Sequence, residues 1–175
     1  MLPFSEWALV GRMALATGLG YAIGFEREWR GKPAGERTFA LIGLGAAGFT
    51  AIGVEGFPAS AEKVIAGVVS GVGFLGAGLI FREATGGILG LTTAASAWAV
   101  ASVGVLVGSG AFLAGILSTL LVLFILELNR LPVIRRFLAQ RMRDPQRGPR
   151  GRGLISSADR RRLWPGRAPH RASTA

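Results

Sequence analysis

Cysteine is absent from the 175 residues, so disulfides and thiolate metal sites are excluded. A single histidine, His170, leaves imidazole chemistry nothing to assemble from. Charge is sparse as well, since Asp, Glu, Lys and Arg make up only 17% of the chain. No nucleophile–base pair, metal-ligand cluster or nucleotide-binding loop can be picked out, so neither an enzyme nor a cofactor is expected. What is present is apolar: half the residues are hydrophobic, and 27 are glycine, far above the roughly 7% usual in globular chains.

The net charge of +10 is unevenly placed. Thirteen of the twenty Lys and Arg residues lie from Arg130 onward, while the first 129 residues hold seven basic and eight acidic groups. That asymmetry points to a nearly neutral membrane body with a basic cytoplasmic end, and no nucleic-acid partner is expected. Met1 to Glu6 lacks the basic segment of a secretory signal peptide, so the first apolar stretch is expected to remain as a span.

A helix needs about 20 mostly apolar residues to cross the hydrocarbon layer. Five segments come close: residues 7–25, interrupted by Arg12, then 38–54, 64–81, 89–107 and 111–128. None has the polar face of a soluble helix. The expected fold is therefore all-α, a polytopic membrane bundle of about five transmembrane helices embedded in the lipid bilayer. Gly108, Ser109 and Gly110 suit a tight turn between the last two. Arg27, Arg30, Lys32 and Arg37 fall between the first two spans, Arg82 between the third and fourth, and the basic tail follows the fifth. The positive-inside rule then places the N-terminus outside and the C-terminus in the cytoplasm. Residues 130–143, with Ile134, Phe137, Leu138 and Met142 on one face, read as a short amphipathic interfacial helix. Residues 144–175 are too rich in Arg, Gly, Pro and Ser for a packed core and are expected to be disordered.

Four constellations stand out within the body. Gly20 and Gly24, Gly67 and Gly71, and Gly104 and Gly108 each repeat at four residues, a spacing that lets membrane helices pack closely or form a homo-oligomer. Gly73, Gly76 and Gly78 continue the series, with Ser70 beside it. A second reading makes Gly73 to Gly78 a kinked or broken helix lining a cavity. Glu26, Arg27, Glu28, Arg30, Lys32, Glu36 and Arg37 crowd one end of the bundle. There Glu26 can pair with Arg37 or Arg82, or help hold a hydrated cation. Arg12, inside the first span, either snorkels outward or pairs with Glu62 or Glu6. Thr38, Thr92 and Thr93 fall at helix starts, where hydroxyls cap free amides, with an anion site as the alternative.

Four blocks carry a resemblance. They are Gly20-Tyr-Ala-Ile-Gly24-Phe-Glu26-Arg27-Glu28, Gly31-Lys-Pro-Ala-Gly35-Glu-Arg37-Thr38, Val68-Val-Ser70-Gly71-Val-Gly73-Phe-Leu-Gly76-Ala-Gly78 and Gly90-Leu-Thr92-Thr93-Ala-Ala-Ser96-Ala-Trp98. In order and in register over roughly Gly18 to Gly108, they resemble the MgtC/SapB family of bacterial inner-membrane proteins. The resemblance implies a non-catalytic role linked to magnesium limitation or membrane energetics, exerted by binding another membrane protein such as the membrane sector of the ATP synthase. An ion transporter or channel, with Glu26 and Gly73 to Gly78 on the path, is the alternative. Carried over by position, the motif residues are Glu26, Arg27, Glu28, Gly35, Arg37, Thr38, Ser70, Gly71, Gly73, Gly76, Gly78, Thr92, Thr93 and Trp98. This chain departs from the pattern at Phe39, where many relatives have His, and at Glu36, where an apolar residue is usual. An Arg-rich tail stands in place of the folded soluble C-terminal domain of longer members.

Overall fold

Proline is excluded from helix interiors because it lacks an N–H and its ring clashes with the preceding turn. Pro33 and Pro58 accordingly lie between helices, and the apolar runs on either side wind without interruption. The computed structural model describes residues 5–82, 84 and 87–128. Five α-helices make up most of it: α1 (Glu6–Trp29), α2 (Glu36–Gly56), α3 (Ala61–Gly78), α4 (Leu91–Gly108) and α5 (Phe112–Glu127). A short 3-10 turn, Pro58–Ser60, leads into α3. The expected interfacial helix at 130–143 and the tail at 144–175 lie outside the described residues.

Helices α1 to α4 are long and apolar enough to cross a membrane, α3 together with its leading turn. Helix α5 has 16 residues, about 24 Å at 1.5 Å per residue, against a hydrocarbon layer of about 30 Å. It is therefore shorter than the 111–128 span expected. The other bounds shift too. Helices α1 and α2 run past 7–25 and 38–54 at both ends, because charged residues at the membrane boundary still extend a helix.

The larger correction lies between α3 and α4, where continuous apolar sequence suggested helix up to 81 and again from 89. Instead β1 (Phe81–Arg82) and β2 (Ile88–Leu89) pair antiparallel, Phe81 opposite Leu89 and Arg82 opposite Ile88. Gly90 sets this break. Its φ of +87° is the left-handed region that favours glycine, and a Cβ there would collide with the Leu79 carbonyl. Gly90→Ala should therefore lower the thermal unfolding midpoint of the detergent-purified protein, the backbone strain alone costing about 1–3 kcal/mol. An unchanged midpoint would contradict the close approach of α4 to the end of α3.

Helices α2 and α4 form the centre, each about half buried, whereas α1 and α3 are about one fifth buried. Ile23, Phe39, Ala46, Ala97 and Val100 make the core where α1, α2 and α4 meet. Large apolar side chains such as Trp7, Phe49, Phe74 and Leu113 point away from it, as suits a lipid surrounding. Hydroxyls within the apolar helices return to their own backbone: Thr17 donates to the Met13 carbonyl, Ser96 to Thr92 and Thr119 to Gly115, at 2.7–2.9 Å. Such bonds remove polar atoms from a medium that offers no water.

Glycine sets the helix separations in this core. A Cβ built on Gly20 would lie 2.5 Å from the Phe39 carbonyl oxygen, and one on Gly24 would lie 2.5 Å from Glu36 Cα. The same holds for Gly43 against Ala16 and for Gly108 against Ala47, both at 2.5 Å. Helix α2 thus lies almost backbone to backbone with α1 on one side and α4 on the other.

Candidate functional site

The end of the bundle formed by the last turn of α1 and the first turns of α2 and α4 gathers most of the charged motif residues. Arg27 is 3% exposed. Its guanidinium lies 3.5 Å from Glu26 Oε2 and 3.4 Å from the Thr93 hydroxyl, and Nε has no hydrogen-bond partner among the described residues. Arg30, one turn on, pairs with Glu26 and also with Glu127 on α5 at 2.7 Å. The cluster therefore ties α1 to α4 and α5. Glu26 does not pair with Arg37 or Arg82, which lie exposed on α2 and β1; its neighbours are the two arginines of its own helix. A carboxylate held between two guanidiniums has its charge already neutralised, which disfavours use as a cation ligand.

Capping follows a different plan from the one the threonines suggested. The N-cap residues of α2 and α4 are Gly35 and Gly90, and neither Thr38 nor Thr92 or Thr93 caps through its hydroxyl. Helix α2 is served instead by α1: the Glu36 N–H donates to Glu28 Oε2 at 3.3 Å. That carboxylate lies over Gly35, where any side chain would strike it. A carboxylate at a helix start is favourable for the macrodipole, but its source here is 8 residues upstream in another helix. No local cap pattern reveals it.

At the opposite end, Arg12 neither snorkels outward nor meets Glu62 or Glu6. It pairs with Glu55 in the last turn of α2 and donates from Nη1 to the Gly108 carbonyl at 2.9 Å. Glu55 was missed because the apolar pattern ended the second span at 54, which put Glu55 in a loop.

Helix α3 differs from the other spans. It is continuous to Gly78, so the broken-helix reading of Gly73 to Gly78 does not hold. Cβ atoms on Gly67, Gly71, Gly73 and Gly78 would meet nothing within 4 Å, and one on Gly76 would meet only Ala94, at 3.8 Å. Gly67 and Gly71 thus make none of the intrachain close approaches seen at Gly20, Gly24, Gly104 and Gly108. Ser70 is exposed, and Trp98 on α4 is 54% exposed beside α3. A groove of about 690 Å³ between α2 and α3 is walled by Leu41, Phe49, Val68, Gly71 and Leu75.

An all-α polytopic bundle, with interior ion pairs at both ends and one span left largely uncovered, defines an integral membrane protein. The chain belongs to the MgtC family, whose model matches residues 13–133. It is 46% identical to protein MgtC of Salmonella typhimurium over 105 residues, covering 60% of this chain and 45% of that protein. It is 42% identical to the putative magnesium transporter YhiD of Escherichia coli over 125 residues, covering 66% of this chain and 58% of that protein. Protein SrpB of Synechococcus elongatus is 36% identical over 141 residues, 72% of this chain and 78% of its own. The chain thus covers less than half of Salmonella MgtC and less than two thirds of YhiD. No solved structure gives a significant match.

Proposed function

We propose that this protein acts without catalysis in magnesium or membrane-energy homeostasis, by packing the glycine-bearing face of α3 against another membrane protein. The observation that carries this reading is the contrast within the bundle. Gly20 and Gly24 on α1, Gly43 on α2, and Gly104 and Gly108 on α4 are met by a neighbouring backbone. A Cβ on Gly67, Gly71, Gly73 or Gly78 of α3 would meet no atom within 4 Å, as is also true of Gly11 and Gly18 near the start of α1. Small residues facing lipid offer a close approach to a helix from outside. The link to magnesium rests on family membership and on the name borne by the Escherichia coli relative. The membrane sector of an ATP synthase is the partner that family resemblance suggests, and a second copy of the chain is the simpler one. The basic end lies in the cytoplasm of a bacterial inner membrane under this reading, following the distribution of Arg and Lys.

The alternative of an ion path joining Glu26 to Gly73–Gly78 receives less support. Helix α1 packs on α2, α4 and α5, whereas α3 packs on α2 and α4. The two parts of that path therefore lie on helices without a substantial shared interface.

Gly71→Leu should abolish co-purification of the partner from membranes while leaving insertion and monomer stability intact. A Cβ at 71 would meet no atom of this chain within 4 Å, and the rest of the side chain has the open α2–α3 groove beside it. Gly71 is a cleaner position than Gly76, whose Cβ would already be in van der Waals contact with Ala94. Retained partner binding in Gly71→Leu overturns the reading. Magnesium flux into liposomes holding only the purified protein would replace it with transport.

A further inference from the structure

Beside the ion cluster lies a cleft of about 770 Å³ whose charged lining residues, Arg27, Arg30 and Lys32, are all basic. Thr92, Thr93 and Gly90 at the start of α4 complete its polar wall, and among the described residues no carboxylate lines it. We propose that this cleft binds a phosphoryl group, held by Arg27, Lys32 and the first turn of α4. The inference is independent of the partner surface on α3.

Three observations converge. The first is the state of Arg27, which is buried yet poorly served: its two Nη contacts are long, at 3.5 and 3.4 Å, and its Nε has no partner among the described residues. A desolvated cation left short of acceptors is costly, and an anion alongside it offsets that cost. Arg30 differs in having two close carboxylates, Glu26 and Glu127, where Arg27 has one at 3.5 Å. The second is the start of α4, an 18-residue helix whose N-cap is a glycine and so brings no capping side chain of its own. Leu91, Thr92 and Thr93 of its first turn line the same cleft as Arg27, which places the positive end of the helix dipole there. Thr93 is buried and its hydroxyl already touches the Arg27 guanidinium, so the helix start and the cation are joined through one side chain. The third is the number and direction of donors. A guanidinium, an ammonium, a hydroxyl and helix-start amides, contributed by separate elements, suit an anion with several oxygens better than a halide.

The apolar remainder of the wall narrows the source. Ile88, Leu89, Ile125 and Leu128 also line the cleft. A phospholipid headgroup would place its phosphate on the basic wall and the start of its acyl chains along these side chains. A free phosphate would use the basic wall alone.

The test uses the full chain purified in a neutral detergent, with thermal unfolding followed at increasing phosphatidylglycerol, phosphatidylcholine or inorganic phosphate. Lys32 is exposed, so Lys32→Glu should fold normally and weaken binding about tenfold or more, as expected for losing a charge-assisted contact. Lys63→Glu, at the other end of the bundle, should bind as the unsubstituted protein does. Stabilisation by phosphatidylglycerol alone, lost in Lys32→Glu, assigns the site to a lipid headgroup. Saturable stabilisation by inorganic phosphate, lost in the same variant, assigns it to a soluble phosphoryl ligand. Absence of both effects overturns the proposal, as does an effect that Lys32→Glu and Lys63→Glu weaken equally, which would be general surface attraction.

Discussion

Gly104→Leu should prevent the bundle from assembling, whereas Gly71→Leu should melt at nearly the same temperature as the unsubstituted protein. Both glycines stand in apolar helices, and both belong to four-residue glycine spacings. Their surroundings differ completely. A Cβ at Gly104 would lie 2.6 Å from Ala46 Cβ and 2.8 Å from the Gly43 carbonyl oxygen, and a leucine adds three further carbons into the same space. The obstacle is α2 backbone, which cannot rotate aside as a side chain would. Overpacking costs about 1–3 kcal/mol where side chains can adjust, and more where backbones must separate. Separating α2 from α4 also removes van der Waals contact, which in a membrane must replace the missing hydrophobic drive between helices. At Gly71 an added Cβ meets no atom of the chain within 4 Å, and the rest of the side chain has an open groove of about 690 Å³ beside it. Gel filtration and thermal unfolding in detergent would show an aggregated or low-melting Gly104→Leu beside a monodisperse Gly71→Leu. A Gly104→Leu variant of ordinary stability would mean that α2 and α4 do not approach as described.

Removing one partner of the Arg12–Glu55 pair should destabilise the protein more than removing both. Arg12 enters from the first half of α1, Glu55 from the last turn of α2, and the Gly108 carbonyl closes α4, so three helices share one cation. Glu55→Gln leaves the guanidinium with neutral acceptors alone in this group, the Gly108 carbonyl among them. Breaking a fully buried pair costs about 3–5 kcal/mol; with the two side chains 19% and 22% exposed, a loss of about 2 kcal/mol is expected. Arg12→Met combined with Glu55→Gln removes both charges and should recover part of that loss, giving a coupling of about 1–2 kcal/mol in a double-mutant cycle. Unfolding of the four proteins in mixed micelles would measure it. Additive losses would show that the pair is too well hydrated to act as a clasp.

Both results depend on details that periodicity does not carry. The four-residue spacing of glycines is the same on α1, α3 and α4, yet only on α1 and α4 is it filled by this chain. Spacing states which residues share a helix face; it does not state whether another helix lies against that face. The ionic pairings show the same limit. Glu26, Arg27 and Arg30 were legible as a charged group at one end. Arg30 reaching α5, and Glu28 capping α2 in place of Thr38, follow from helix ends brought together across loops. The boundary between α3 and α4 was misplaced because β-branched and leucine residues in Ile88–Leu89 continue an apolar run whether it is coiled into a helix or extended in a hairpin. Only the left-handed Gly90, pressed against the Leu79 carbonyl, distinguishes the two.

The sequence by itself determined the all-α membrane class, the presence of five helices and the gathering of basic charge at one end, together with the motif blocks that resemble the MgtC/SapB family. These follow from hydropathy, proline placement and local motifs, which act over a few residues. Tertiary structure alone decided which glycines are filled, that Arg12 meets Glu55, that Arg27 is buried beside Thr93, and that a basic cleft opens at the start of α4. Those outcomes depend on the relative placement of helices up to 96 residues apart in sequence, as Arg12 and Gly108 are. Contacts of that kind are set by mutual packing in three dimensions, and no window along the chain contains both partners.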